Sequence, residues 1–377
     1  MLTRRDFLKY TVISGATILG ASFLGCMKKE VVSEKSVGAT EIIDSMGRKV
    51  YVKVPVDRVV ITFNVEEFIA VGGKDALKKI VGWSKYYWKG RRPTVWEVYS
   101  KRFPWIDEIP DVGYPWKGTF SGEKVIDLEP DVVIMSKEQY KYIKDDVKKL
   151  DKVGIPVVFI DYYEPFNIAT HMRSTFILGK LLGKEDKARE LMIFYTRQVE
   201  SILKEIMNVE EKYPKPKVLL LGKGWISYGR NHYRGKMIEL AGGINVASKV
   251  LEQSGEISPE YVLRVNPDVV IFIGKKGWNV DLGYGISEDV AKRMLKELVE
   301  SRAGWKNLNA VKNNRVYAIH IYFVHGHIFD YVALQFFIKW FYPEAEEFKQ
   351  LDPIKAWKDF HERFLPVKYS GTWAVSL

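Results

Sequence analysis

Two stretches of the chain repeat one another. Residues 121–134 read SGEKVIDLEPDVVI and residues 258–271 read SPEYVLRVNPDVVI; they agree at 8 of 14 positions without a gap and begin 137 residues apart. In each copy a glutamate (Glu123, Glu260) opens a short helical pattern, a Pro-Asp pair ends it because proline cannot continue a helix, and a β-branched run follows as a buried strand. The repeat predicts two lobes built on the same helix-to-strand plan.

Short apolar runs alternate with helical patterns in both halves of the chain. The strand-like runs are residues 58–63, 132–135, 156–161, 217–222, 268–274 and 315–320. Such alternation is typical of parallel α/β sheets. Between the halves, residues 184–208 have apolar side chains at helical spacing, and one helix of that length spans roughly 37 Å. The predicted fold class is α/β, with two Rossmann-like lobes joined by a single long rigid helix.

The first thirty residues are typical of an export signal. Arg4, Arg5 and Lys9 precede an uncharged stretch of 16 residues, which is shorter than the about 20 residues that a membrane span needs. TRRDFLK resembles a twin-arginine signal and FLGC resembles a lipobox, so residues 1–26 are predicted to be a signal peptide whose cleavage leaves Cys26 lipid-modified. An uncleaved anchor and a buried apolar helix are the alternatives, and both Tat and Sec export stay open. Residues 27–40 are predicted to be a polar linker.

Composition limits the classes of partner. The 377 residues carry a net charge of +11, with 47% hydrophobic and 14% aromatic residues, which suits packed lobes and an anionic partner. The basic residues are scattered and match no nucleic-acid-binding motif, so no nucleic-acid partner is expected. Cys26 is the single cysteine, which excludes an intramolecular disulfide and a cysteine-rich metal site.

Several motifs in a fixed order resemble one family. They are DSMGRKVYVKVPVDRVV (44–60), EKVIDLEPDVVI (123–134), LGKLLGKEDKA (178–188), AGGINVA (241–247), WKNLNAVKNNRVYAI (305–319) and KWFYPE (339–344). Together they resemble the substrate-binding proteins of ABC importers for ferric siderophores, haem and vitamin B12. The resemblance implies the class III periplasmic-binding-protein fold. The predicted parts are an N-terminal lobe at 41–165, an inter-lobe helical region at 166–212, a C-terminal lobe at 213–345 and a helical tail at 346–377.

The resemblance also implies partners. In that family the ligand sits between the lobes, and one glutamate on each lobe meets basic residues of the membrane permease, which works with an ATPase. Glu123 and Glu260 occupy those positions here. The alternative for each is a simple preference of carboxylates for helix starts, worth about 0.3–1 kcal/mol. The chain is expected to be a monomer on the outer face of the cytoplasmic membrane.

The sequence lacks the common signatures of enzymes. It contains no Gly-x-Ser-x-Gly elbow, no phosphate-binding loop and no dinucleotide fingerprint, so neither a catalytic residue nor an intrinsic cofactor is expected. Histidine is a common metal ligand, and His320, His325 and His327 lie within eight residues of one another. His171 and His232 are further candidates. The alternative is that these histidines line a cleft without metal.

The candidate ligand-binding residues follow the predicted strands, because ligands of parallel α/β sheets bind where the strands end. They are Asn64, Tyr86, Tyr87, Trp88, Arg91, Arg92, Tyr114, Trp116, Lys117, Trp225, Tyr228, Arg230, Arg234, His320 and Tyr322. Aromatic faces suit a macrocycle or a catecholate, and arginine suits carboxylates and other oxyanions. For any one aromatic residue, packing in a lobe core is the alternative.

The sequence thus predicts an extracytoplasmic lipoprotein that captures an iron complex (siderophore or haem) or a corrinoid and delivers it to an ABC importer. A binding protein for a small oxyanion such as molybdate, or for a bare divalent metal, stays open. So does an anchored metal chaperone or sensor without an importer. An enzyme on a similar two-lobed scaffold, as in nitrogenase-like folds, would need cluster-ligating cysteines, and the chain has none beyond Cys26.

Overall fold

The computed structural model describes residues 38–377. The predicted export signal, Cys26 and most of the predicted linker lie outside the described residues. Within 38–377, no helix combines the length and the apolar character that crossing a bilayer requires.

Strands and helices alternate along the described chain. The first part contains β1 (Thr40–Ile43), β2 (Lys49–Val52), β3 (Val59–Ile61), α1 (Val65–Gly72), β4 (Ile80–Trp83), α2 (Pro93–Arg102), α3 (Gly122–Asp127), β5 (Val132–Ser136), α4 (Lys144–Val153), β6 (Val157–Ile160), α5 (Ile168–Leu182) and α6 (Glu185–Lys212). The second part contains β7 (Lys217–Leu221), β8 (Ile226–Tyr228), α7 (Tyr233–Leu240), β9 (Ile244–Asn245), β10 (Ser254–Glu256), α8 (Pro259–Val265), β11 (Val269–Gly274), α9 (Glu288–Glu300), α10 (Asn309–Lys312), β12 (Val316–His320), α11 (Asp330–Phe341), α12 (Pro353–Phe364) and β13 (Ala374–Ser376). The α/β class that the sequence predicts is confirmed.

The described chain groups into two compact units. Unit 1 holds residues 38–87, Glu108–Tyr162 and Asn167–Thr196, and unit 2 holds Trp88–Asp107, Tyr163–Phe166 and Arg197–Leu377. The chain passes from unit 1 to unit 2 within α6, which is one unbroken helix of 28 residues. Residues 88–107, which the sequence pattern assigns to the first lobe, therefore group with the second unit.

Unit 1 is built on a four-stranded parallel sheet of order β4-β3-β5-β6. The strands are buried on both faces, as their continuous apolar sequences predict. The hairpin of β1 and β2 precedes the sheet, and Asp44 holds its turn. One carboxylate oxygen of Asp44 accepts the N–H groups of Met46 and Arg48 at 2.9 and 3.0 Å, and the other binds the Arg48 guanidinium at 2.7 Å.

Unit 2 is built on a mixed sheet of order β10-β8-β7-β11-β12-β13, with β9 paired to β7. Its centre, β7-β11-β12, is parallel, and the strands towards its edges, β8, β10 and β13, are antiparallel to their neighbours. The sequence pattern predicts a helical tail for residues 346–377, but the chain after α12 ends in a strand, β13. The sequence does not reveal β13, because a strand of 3 residues is too short to show a clear alternation of apolar and polar side chains.

The repeated Pro-Asp corner has the same structure in both units. In unit 1, Asp131 accepts the N–H of Arg58 at 2.8 Å through its side chain and donates its own N–H to the Arg58 carbonyl at 2.8 Å. In unit 2, Asp268 makes the same pair of bonds to Lys217, at 2.9 and 2.8 Å. Each aspartate thus ties the start of its own strand to the start of the parallel neighbour. The repeat encodes this strand register.

Candidate functional site

Unit 1 carries a cluster of aromatic rings at the carboxyl ends of its strands. Phe63 follows β3 and Tyr87 follows β4, and their ring centroids lie 4.5 Å apart. Tyr114 stacks on Tyr87 at 5.7 Å, and Trp116 meets Phe63 edge-on at 5.1 Å. These four residues and Tyr86 are hereafter the aromatic cluster of unit 1. The structure brings together four of the predicted ligand-binding residues here and adds Phe63.

Only part of the aromatic cluster faces solvent. Tyr86 is 38% exposed and Trp116 is half-buried, whereas Tyr87 and Tyr114 are buried. The Lys117 ammonium nitrogen lies 4.2 Å from the centroid of the Tyr86 ring, where the negative face of the ring attracts a cation. The exposed edge of the cluster thus offers flat rings and one positive charge.

The turn from β3 into α1 positions further buried polar groups. Asn64 is fully buried and has a left-handed backbone with φ of 55°, which asparagine tolerates better than most residues. Glu66 and Glu67 follow in the first turn of α1 and are at most 1% exposed. The charge of Glu67 adds to burial in raising the pKa of Tyr162 well above its ordinary value. The sequence analysis does not include these two glutamates among the candidate site residues. Two adjacent acidic residues shortly after a predicted strand were the sequence feature that could have pointed to them.

Unit 2 carries a buried cluster of basic residues and imidazoles. The Arg92 guanidinium lies 4.3 Å from the centroid of the Tyr322 ring and contacts Nε2 of His327. Nδ1 of His320 accepts the N–H of Tyr322 at 3.3 Å. These four residues are at most 3% exposed. With Arg91, Arg234, Lys275 and His325 they are hereafter the basic cluster of unit 2.

The charges of this cluster repel one another. Burial, then Arg91, Lys223 and Arg92, lowers the pKa of Lys275 to about 8. Burial, then Arg92 and Lys275, lowers the pKa of His320 well below its ordinary value. Neither Lys275 nor Arg91 forms an ion pair with any residue of the described range. The cluster therefore holds positive charge that residues 38–377 leave without a carboxylate partner at these two positions.

Arg234 links the cluster to α7. Its Nε donates to the Val324 carbonyl at 2.8 Å, and its guanidinium lies 4.6 Å from the centroid of the Tyr228 ring. The N–H of Arg234 donates to Nδ1 of His232 at 3.1 Å, and burial together with Arg234 lowers the pKa of His232 to about 3. The pKa of His325 is also well below its ordinary value, through burial first and then Arg234. These imidazoles are therefore neutral at pH 7.

Three predicted ligand-binding residues lie in other surroundings. Trp88 is buried against Trp96 and Tyr99, with ring centroids 6.3 and 4.9 Å away. Trp225 is partly buried and packs on the hydrophobic core of unit 2. Arg230 is exposed and forms an ion pair with Glu252 at 3.3 Å. Residue type alone does not distinguish these three from the residues of the two clusters.

The two repeated glutamates are both exposed in the first turn of a helix. Their surroundings differ. Glu123 forms an ion pair with Lys149 at 2.6 Å, and this hydrogen bond lowers the pKa of Glu123. Glu260 forms no ion pair with any residue between 38 and 377. Glu260 therefore presents the less neutralised charge.

Comparison with known proteins identifies the family. The family model described as periplasmic binding protein matches residues 59–322, which is more than half of the chain. The chain belongs to the periplasmic binding protein family.

Named relatives agree with this assignment. This binding protein is 32% identical to the TroA-like periplasmic binding protein FepB from Veillonella parvula, with a TM-score of 0.81 over 89% of this chain and 99% of that one. It is similar to a second periplasmic solute-binding protein from Veillonella parvula, at 25% identity and a TM-score of 0.66 over 88% and 94% of the two chains. It is also 28% identical over 235 residues to the high-affinity heme uptake system protein IsdE of Staphylococcus aureus, covering 60% of this chain and 70% of that protein. The fold that the sequence motifs imply is confirmed.

Proposed function

We propose that this binding protein captures an anionic iron complex, a ferric siderophore or haem, for an ABC importer. The observation that carries the proposal is the positive charge of the basic cluster of unit 2. Lys275 is 8% exposed and has no ion-pair partner among residues 38–377, and Arg91 has none either. A buried charge without a counter-ion is costly, so a bound anion would relieve the cost.

The chemistry of the cluster favours an oxygen-rich anion. Arginine donates paired N–H groups to a carboxylate or catecholate, and Arg91 is half-buried and free to do so within the described chain. Within unit 1, the Tyr86 ring, which is 38% exposed, and the half-buried Trp116 ring would by themselves suit a flat organic ligand. The name of the Staphylococcus aureus relative, a heme uptake protein, supports haem as the first candidate.

The same charges weigh against the other ligands. A corrinoid brings no comparable negative charge to Arg91 and Lys275. A bare divalent cation would be repelled by Arg92, whose charge already depresses the pKa of His320. Molybdate, which is a small oxyanion, could also be bound by the cations of unit 2. It is therefore the second candidate.

The site of action follows from the family and the sequence. As a periplasmic binding protein, the chain acts outside the cytoplasmic membrane. Cleavage and lipid modification at Cys26 would tether it there as a monomer, next to the permease and its ATPase. A metal chaperone or sensor without an importer would also need the ligand site. Transport assays distinguish the two functions, whereas binding assays do not.

Calorimetric titration of the chain from residue 27 tests the ligand. We expect binding of haem or a ferric siderophore and weaker or no binding of cobalamin, molybdate, zinc and manganese. Arg91→Gln should weaken binding about ten-fold, as expected for loss of a hydrogen bond between charged groups. Arg230→Gln is the matched control, because Arg230 is ion-paired with Glu252.

Two outcomes would contradict the proposal. One is tight binding of zinc or manganese alone that is lost in His320→Ala and His325→Ala. The other is equal affinity of the Arg91→Gln and Arg230→Gln variants for every iron complex that binds.

A further inference from the structure

Unit 2 has a recessed surface that involves no residue of its basic cluster. The recess has a volume of about 850 Å³ and lies between α9, the turn that follows it, α10 and the end of β13. It is hereafter the α9 groove, and its lining includes Arg293, Lys296, Val299, Arg302, Ala303 and Lys306. Small-molecule sites in proteins have volumes of about 300–1,000 Å³, so the α9 groove is large enough for an organic ligand.

The charged rim of the α9 groove is mainly positive. Arg293 and Lys306 are exposed, and neither forms an ion pair with any residue of the described chain. Among residues 38–377, Lys296 pairs only with Glu300, a carboxylate of the groove lining, at 3.8 Å. An anion at this rim would therefore meet cations that are not already neutralised.

Arg302 is the least satisfied of these cations. Its guanidinium lies 4.0 and 4.7 Å from the ring centroids of Trp225 and Trp305, and one nitrogen donates to the Gly224 carbonyl at 2.9 Å. The other terminal nitrogen, Nη1, is buried and has no hydrogen-bond partner among residues 38–377. Burial alone lowers the pKa of Arg302 to about 10, and no carboxylate opposes the shift. A partly buried cation in this state is stabilised by an anionic ligand.

The lining also has an apolar part. Val299, Ala303 and Val311 contribute it, together with the aliphatic stems of Lys292 and Lys296. A hydrocarbon chain bound here would be removed from water together with these apolar side chains, whereas a small inorganic anion would leave the side chains exposed to water. The groove is therefore complementary to a molecule that has both a negative head and an apolar chain.

We propose that the α9 groove binds an amphiphilic anion, a hydrocarbon chain that ends in a carboxylate, sulfate or phosphate group. The chain lies along Val299, Ala303 and Val311, and the head group meets Arg302 and Lys306. This site is separate from the iron-complex site and does not depend on the proposed function. A free fatty acid and a membrane phospholipid both have this chemistry.

Titration with three matched twelve-carbon probes tests the inference. The probes are dodecanoate and dodecyltrimethylammonium, each below its micelle concentration, and dodecanol below its solubility limit. Calorimetry should detect dodecanoate most strongly, with no binding of the cationic probe. Tryptophan emission should change as well, because Arg302 stacks on Trp225 and Trp305.

Charge reversals at the rim locate the site. Lys306→Glu and Arg293→Glu should each weaken dodecanoate binding about five-fold, the factor that corresponds to an exposed charge pair. Lys312→Glu is the control, since Lys312 is exposed on α10 but does not line the groove. All three changes are on the surface and should leave the fold intact. Equal dodecanoate affinity in the three variants, or equal binding of the cationic probe, would overturn the inference.

Sedimentation with lipid vesicles separates the two sources of the ligand. Vesicles of phosphatidylglycerol and of phosphatidylcholine are compared at the same lipid concentration. Selective binding to phosphatidylglycerol that Lys306→Glu abolishes assigns the groove to a membrane lipid. Dodecanoate binding without vesicle binding assigns it to a free fatty acid. Failure of both probes with a folded protein rejects the groove as a site.

Discussion

At the scale of single residues, the basic cluster of unit 2 depends on Lys275. This lysine is 8% exposed, and within the described chain it has a cation–π contact with Trp278 but no ion pair. Its pKa of about 8 results from burial and from Arg91, Lys223 and Arg92. Burial of this charge destabilises the ligand-free protein, and a bound anion would offset that destabilisation. A binding residue that reduces stability is common at functional sites.

Lys275→Met should therefore stabilise the ligand-free protein and weaken anion binding. The pKa of Lys275 is lower in the folded state than in the unfolded state. The lysine charge therefore lowers the free energy of unfolding at every pH at which Lys275 is protonated in the folded protein. At pH 7 the variant should gain on the order of 1–2 kcal/mol in free energy of unfolding. The gain should fade between pH 8 and 10.5, where the wild-type lysine loses its proton first in the folded state. Urea unfolding at several pH values measures it.

Lys276→Met is the control for this substitution. Lys276 is the next residue, and it is exposed and ion-paired with Glu97 at 2.8 Å. We expect no gain in stability and no loss of ligand affinity. A Lys275→Met variant that is less stable than wild type at pH 7 would show that the lysine charge does not destabilise the folded protein.

At the scale of elements, the two copies of the repeated helix–corner–strand segment share one unusual backbone conformation but place different residues in it. The residue before each proline has a left-handed conformation, with φ of 44° at Glu129 and 45° at Asn266. Asparagine tolerates this region better than glutamate does. Asn266 also exchanges hydrogen bonds with Asn309 at 2.8 and 3.1 Å, so the second copy is better adapted to its backbone.

Glu129→Asn should stabilise unit 1 by roughly 0.5–1 kcal/mol, because it places in the first copy the residue that suits the left-handed region. Thermal unfolding followed by circular dichroism measures the change. Asn266→Glu is the reciprocal variant and should destabilise unit 2 by more, since it also loses the bonds to Asn309. Equal effects of the same sign from both exchanges would contradict the backbone explanation.

At the scale of the whole molecule, neutral buried histidines make the protein sensitive to acid. The pKa values of His232 and His361 are lowered to about 3 and about 4, and those of His320 and His325 lie well below their ordinary value. Burial is the first cause in each of the four. As pH falls below about 6.5, the unfolded chain takes up protons at these positions while the folded chain does not.

The free energy of unfolding of unit 2 should thus decrease between pH 6.5 and 5, by up to roughly 1 kcal/mol per histidine and pH unit. His361→Gln should reduce the slope. His361 is hydrogen-bonded through both ring nitrogens, to the Tyr284 hydroxyl and the Trp357 carbonyl, each at 2.8 Å. Urea unfolding at pH 7, 6 and 5 measures the slope. Unchanged slope in the variant would exclude His361 as a contributor.

The proposed docking to an importer also belongs to the scale of the whole molecule. Glu260→Arg should reduce ligand transport into vesicles that carry the permease more than Glu123→Arg does. The reason is that Glu123 is already ion-paired with Lys149, whereas Glu260 has no such partner in residues 38–377. Lys149→Met should increase transport slightly. Ligand affinity, measured by calorimetry, is the control and should not change in any of the three.

Transport that is unaffected when Glu123→Arg and Glu260→Arg are combined in one variant, with folding and ligand binding intact, would argue against the importer. It would favour a chaperone or sensor instead.

The sequence by itself determined the central strands of both units and their order, but not the short strands β8, β9, β10 and β13. The apolar runs of β3, β5, β7, β11 and β12 are almost entirely buried, so their pattern is local and strong. The Pro-Asp repeat fixed the register of two parallel pairs, because Asp131 and Asp268 bond to the start of the neighbouring strand. Family motifs in order then identified the fold.

Only the tertiary structure decided which polar and aromatic residues are available to a ligand. Tyr86 and Trp88 are two positions apart in one run, yet Tyr86 is 38% exposed and Trp88 is 1% exposed. Lys275 and Lys276 are neighbours, yet the first is buried without a counter-ion among residues 38–377 and the second is ion-paired. Exposure and charge pairing depend on contacts between segments far apart in sequence, such as the 179 residues that separate Lys276 from Glu97. The pattern of residues within one short segment therefore cannot predict those contacts.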